Sequence, residues 1–145
     1  MSGPALKQGN AHEAIHNAAL FEADELTTVV RQLHAEQMLD KAKAAAQLVV
    51  EHWQTRTLRH ATEEEEGLYS EILAANSERA VDIAALTHDH DLMRKLVSEA
   101  ETYLTSDELK LALARFDMLL WLVEAHSREE ERLIFATRPT EGASK

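Results

Sequence analysis

The chain has 145 residues and a mass of 16.3 kDa, which is room for one domain around one core. Four glycines, two prolines and no cysteine argue against a turn-rich sheet fold, and the missing thiols exclude disulfides, Cys-ligated zinc, iron–sulfur clusters and thiol catalysis. The formal charge of −11 repels phosphate backbones and anionic lipid, so neither nucleic acid nor a membrane surface is expected as a partner.

Residues 1–10 hold Gly3, Pro4, Gly9 and Asn10 and read as a flexible leader without the apolar core of a signal peptide. From Ala11 to Arg138 there is one glycine, Gly67, and no proline, so residues 11–138 are expected to form one helical domain. Residues 139–145 are expected to be a flexible tail. No apolar run approaches the roughly 18 residues that a membrane span requires, so a cytoplasmic location is expected.

Helix 1 is predicted over 11–34. Its apolar stripe is Ala19, Ala23, Leu26, Val30 and Leu33, and His12 and His16 lie on the same face. A weak break in 34–40 follows, with Asp40 as a candidate cap. Helix 2 is predicted over 40–75, where Val49, Trp53, His60, Glu64 and Leu68 form the best row. Asn76 and Ser77 are good N-cap types and open helix 3, predicted over 78–104, with Ile83, Leu86, His90, Met93, Val97 and Leu104 on one stripe. Thr105 and Glu108 have the spacing of a capping box, placing helix 4 over 106–137. Its row is Leu109, Phe116, Leu120, Val123, His126, Glu130 and Ile134. Helices joined by short turns pack antiparallel, so the fold class is all-α, an up-down-up-down four-helix bundle.

Each stripe thus carries a histidine where an apolar residue is expected. Two of them belong to a repeat. His60, Glu64, Glu65, Leu68 and Tyr69 recur in order and spacing as His126, Glu130, Glu131, Ile134 and Phe135, 66 residues later. His and Glu four apart sit one turn apart on one helix face, where an imidazole nitrogen and a bridging carboxylate can serve one metal or two adjacent ones. In an antiparallel hairpin, residues at one height are equidistant from the turn. His60/Glu64 and His90 have their midpoint near 76, His90 and His126 at 108, and His16 and His60 at 38, all at proposed turns. His34 and His60 have theirs at 47, inside a helix, which removes His34 from the candidates. His88 passes the same test but lies about 200° from His90 around the helix and off the stripe. The candidate ligands are therefore His16 or His12, His60, Glu64, His90, His126 and Glu130, with Glu131 as the alternative to Glu130. Glu65 is a candidate second layer. Glu63 and Glu66 are expected to face water, and His52 and His34 to be surface residues. Tyr69 and Phe135 are candidate walls of the pocket, with the Tyr69 hydroxyl a possible donor to a bound oxygen species.

With these residues in place, the sequence resembles the hemerythrin-like HHE family. The family pattern is His, then His-x-x-x-Glu, then His, then His-x-x-x-Glu on successive helices, and the likeness spans 11–137. The resemblance implies a non-haem di-iron centre. Two iron ions would be bridged by Glu64, Glu130 and an oxo or hydroxo group, with dioxygen, peroxide or nitric oxide as the small ligand. Family oxygen carriers have His-x-x-x-His on helix 3, whereas here Arg94 follows His90 at that offset. They also place Asp where Glu131 stands. If turnover occurs, peroxide disproportionation is the first expectation. A ferritin-like centre needs two Glu-x-x-His pairs, and only Glu13 and His16 have that spacing. The competing reading from another class is a metal-free acidic helical interaction module. A smaller competitor is zinc or manganese on the same ligands.

Overall fold

The computed structural model describes residues 9–135, and every regular element among them is helical. Four rods result. Rod α1 is Gly9–Ala35, and α2 runs over 39–75. A short 3-10 turn, Ser77–Arg79, leads into α3, Ala80–Thr105, and α4 runs over 109–135. Each rod packs on two neighbours, α1 on α2 and α4, and α3 on α2 and α4, which closes the antiparallel bundle. Gly9 and Asn10, expected in the leader, already belong to α1. The rest of the leader, 1–8, the tail 139–145 and the predicted end of helix 4 at 136–137 lie outside the described residues.

The breaks fall where the sequence places them, but two of three use different chemistry. Asn76 does act as a cap, of the 3-10 turn that leads into α3, its side-chain oxygen accepting from Glu78 N–H at 3.0 Å. The proposed Thr105–Glu108 capping box does not form: the Thr105 hydroxyl donates back to Glu101 C=O at 3.1 Å, and Glu108 makes no side-chain cap bond. Instead the chain turns through Asp107 at φ 58°, with Glu108 N–H on Tyr103 C=O and Asp107 N–H on Leu104 C=O. The α1–α2 turn repeats this pattern around Gln37 at φ 60°, with Met38 N–H on Leu33 C=O and Gln37 N–H on His34 C=O. Both are Schellman closures built without glycine. Asp40 is not the cap of α2. Met38 holds that position without a side-chain bond, and Asp40 sits in the first turn.

Neither α2 nor α4 is a plain α-helix. In α2, π-helical segments Trp53–Leu58 and Glu65–Tyr69 interrupt the α-helical turns, and α4 ends in the π-helical Glu131–Phe135. The last two are the same place in the two sequence repeats, directly after Glu64 and after Glu130. A π turn bonds i to i+5, so it brings residues five apart onto one face. Tyr69 and Phe135 follow those two glutamates by five.

The apolar core comes in two parts. The larger contains Ala23, Val30, Trp53, Met93, Val97, Phe116 and Leu119 and fills the bundle toward the 36–38 and 106–108 turns. The smaller, Leu68, Tyr69, Ile83 and Leu86, fills the opposite end. On α4 Leu119 is fully buried, while its neighbour Leu120, the stripe candidate, is only half-buried. Between the two apolar clusters lies a layer of buried polar side chains.

Candidate metal centre

That layer consists of His12, His16, His60, Glu64, His90, His126 and Glu130. Its ligand-type atoms form two groups, His12, His16, His60 and Glu64, and Glu64, His90, His126 and Glu130, each with atoms within 4.8 Å of one another. Glu64 belongs to both. It is 1% exposed and Glu130 is 0% exposed, a depth at which unpaired carboxylates cost several kcal/mol. Glu64 lies against His12 Nε2, 3.2 Å from His60 Nε2, 3.2 Å from His90 Nε2 and 3.7 Å from His16 Nε2. Glu130 lies 3.4 Å from His12 Nε2, 3.8 Å from His16 Nε2 and 3.8 Å from His126 Nε2.

All seven sequence candidates are therefore brought together, including both members of the His12/His16 alternative. They sit at i, i+4 on α1, with rings in contact at 4.2 Å, and His12 is the more deeply buried. Glu130 rather than Glu131 points into the layer, as its spacing from His126 requires. His34 lies outside it, near the far turn, half-buried rather than at the surface as expected, and His88 is exposed. His52 is not the surface residue expected: it is half-buried, its Nε2 3.2 Å from Ala19 C=O. Glu63, expected in water, is half-buried, while Glu66 is exposed as expected.

The outer face of the layer is held by hydrogen bonds. Glu65 Oε2 accepts from His90 Nδ1 at 2.7 Å, and Arg94 holds Glu65 from the other side at 3.1 Å. Asp89 Oδ2 accepts from His126 Nδ1 at 2.9 Å, and Ser127 Oγ meets His16 Nδ1 at 2.9 Å. A carboxylate on Nδ1 fixes the proton there and turns a bare Nε2 inward. Glu65 was visible from its place beside Glu64. Asp89 and Ser127 were not, because their partners lie 37 and 111 residues away, and only the fold pairs them. The π turns supply the lid. Tyr69 donates its hydroxyl to Glu130 and stacks on His90, with centroids 5.5 Å apart and planes at 5°. Phe135 packs on His12 at 4.5 Å.

The electrostatics show how poorly the layer balances by itself. Burial pushes the Glu64 carboxyl up, but the imidazoles of His12, His16, His60 and His90 overcome this and hold it well below the usual carboxylate range. Burial and the adjacent Glu64 charge push Glu130 well above that range, against the Tyr69 hydrogen bond. Of the two neighbouring carboxyls, Glu130 is therefore the one that takes up a proton more readily. Burial lowers His16 to about 4, against the pull of Glu64. Burial, with the charges of Glu64 and Glu130, also raises the Tyr69 phenol.

Four buried atoms of the layer, His60 Nε2, Glu64 Oε1, His126 Nε2 and Glu130 Oε1, make no hydrogen bond. Inward-facing imidazole nitrogens and carboxylate oxygens without partners are the donor set of a cation site. The hemerythrin HHE cation-binding domain model matches residues 12–137. The chain belongs to the hemerythrin family. A search of functionally described proteins and a search of solved structures found no match. In this hemerythrin domain the two buried His/Glu groups fit a binuclear metal site, and among the described residues no helix is long and apolar enough to cross a membrane.

Proposed function

We propose that this hemerythrin domain is a non-haem di-iron protein that binds dioxygen or reacts with peroxide or nitric oxide. The observation that carries the reading is the sharing of Glu64 by two buried ligand groups with unpartnered atoms turned inward. His12, His16, His60 and Glu64 would hold one ion, and Glu64, His90, His126 and Glu130 the other. Iron held there supplies one-electron redox chemistry toward small oxygen and nitrogen ligands. The chain's own contribution is geometric and electrostatic. Five imidazoles give a neutral field, two carboxylates balance cation charge, and apolar clusters above and below keep bulk water away. Tyr69 holds its hydroxyl proton at Glu130, beside the space the ligands enclose. The metal-free interaction module is the weaker reading, because it leaves those four buried atoms without hydrogen bonds and Glu130 disfavoured as an anion.

The test is metal analysis of the full chain purified without chelator, with optical spectra taken before and after azide. About two irons per chain and charge-transfer bands that azide shifts support the reading. A chain that stays metal-free when iron is supplied anaerobically refutes it, and zinc or manganese alone at the site removes the redox half.

A further inference from the structure

A cavity of about 230 Å³ opens beside the ligand layer. It reaches His16, His60, His90 and His126, but also Ala19, Thr57, Met93 and Val123. These four stand three residues from those four histidines, one on each rod, all toward the 36–38 and 106–108 turns. The open space thus extends about 4.5 Å, most of a helical turn, beyond the ligands. Two features keep it open. Ala19 and Thr57 are short, and Thr57 belongs to the π-helical segment Trp53–Leu58, which displaces the α2 backbone at this height.

The size and lining state what fits. An apolar cavity of about 150 Å³ accommodates benzene, so this one, which includes the space between the His/Glu ligand atoms, accommodates about nine heavy atoms in all, bound ions included, and still more than a diatomic ligand needs. One wall is the ligand layer with its unpartnered nitrogens and oxygens, and the other is apolar, from Ala19, Met93 and Val123. The mouth, at Arg56 and Arg59, carries paired charges: Arg56 Nη1 meets Glu22 at 2.5 Å and Arg59 Nε meets Glu63 at 3.7 Å. A mouth with both signs matched selects for no ionic head group.

We propose that this cavity binds an uncharged organic molecule with an apolar body of aryl or short branched alkyl size and one oxygen-bearing end, turned toward the His/Glu layer. An alcohol or a hydroperoxide is the matching class. The proposal rests on the metal reading for the direction of the polar end and goes beyond it in assigning a second occupant.

The experiment uses the full chain loaded with zinc, which is redox-inert, so binding is read apart from turnover. 2-Methyl-2-butanol is titrated while the Met93 methyl is followed by NMR, assigned through Met93→Leu. Saturable shifts of that methyl are expected. Ala19→Leu and, separately, Thr57→Leu fill the layer and should each weaken binding by at least about tenfold with zinc content and helicity unchanged. No shift of the Met93 methyl up to the solubility limit overturns the proposal, as does unchanged affinity in the folded variants. If one variant misfolds, the other and the parent titration decide. Alcohol binding without zinc uptake defeats the metal reading alone, and zinc uptake without alcohol binding defeats this one alone.

Discussion

Replacing Glu64 by Gln should empty more of the centre than replacing Glu130 by Gln, although the two changes are chemically identical. Gln conserves volume, so the packing of the layer survives and only the anionic ligand is lost. Glu64 belongs to both ligand groups and Glu130 to one. After Glu64→Gln the His12/His16/His60 group has no carboxylate of its own, only the neighbouring Glu130 oxygen 3.4 Å from His12 Nε2, and the other group keeps one; after Glu130→Gln the first group keeps all four of its residues. The distances set the scale. Glu64 oxygens lie 3.2 Å from His60 and His90 Nε2, so a divalent cation lodged among these atoms is within reach of the carboxylate. At a separation of about 3 Å and an effective dielectric of about 20, a unit charge attracts it by about 11 kcal/mol. Dehydrating the carboxylate offsets several kcal/mol of this. A net loss of about 4 kcal/mol is about a thousandfold in Kd. The assay is zinc per chain after gel filtration, by mass spectrometry, with circular dichroism as the control for folding. The parent should hold about two ions, Glu130→Gln about one, and Glu64→Gln less than one. Equal losses in the two folded variants, or the reverse order, would refute the shared-ligand geometry.

Metal binding on the acidic side of neutrality should release a proton, because burial and the Glu64 charge hold the Glu130 carboxyl well above the usual carboxylate range and it must be an anion to ligate. Affinity should therefore rise with pH, and calorimetry in buffers of different ionisation enthalpy should detect the release; buffer-independent heats would contradict it. Asp89→Asn should weaken metal binding about 10- to 100-fold with little change in helicity, since its carboxylate orients His126 from outside the layer. Competition against a chromophoric chelator measures this, and parent-like affinity would show that the Asp89–His126 bond has no such role. Gln37→Gly should raise stability by about 1 kcal/mol, or Tm by about 3 °C, because a side chain at φ 60° is strained where glycine is not. A lower melting temperature would mean that the Gln37 side chain contributes more than its backbone strain costs.

Much of this arrangement is legible in the sequence. Scarce Gly and Pro leave long helices as the only economical choice, and spacings of three and four located Ile83, Leu86, Met93, Val97 and Leu104, all of which are buried. The repeat of His60/Glu64 in His126/Glu130, with the equal-height argument, selected the residues that meet and set His34 aside. What escaped has physical causes. Schellman turns at Gln37 and Asp107 lack the glycine that usually announces them, so the spurious Thr105–Glu108 box was the visible signal. A π turn differs from an α turn by one hydrogen-bond offset, which packing decides and local propensity does not. Ser127 reaches His16 only because α4 closes against α1.

The seven inward-facing side chains are not supplied evenly along the rods. His12 and His16 lie in the first two described turns of α1, whereas His60, Glu64, His90 and His126 lie well inside their rods. End turns of a helix open at far lower free energy than central ones. Peeling back the first two turns of α1 would expose a three-walled cup of His60, Glu64, His90, His126 and Glu130 without unfolding the remaining bundle. Loading and release of ions are then expected to need no global opening, and hydrogen exchange should be faster at 12–16 than at 60–64 or 90 in the metal-free chain, and slowed there by zinc.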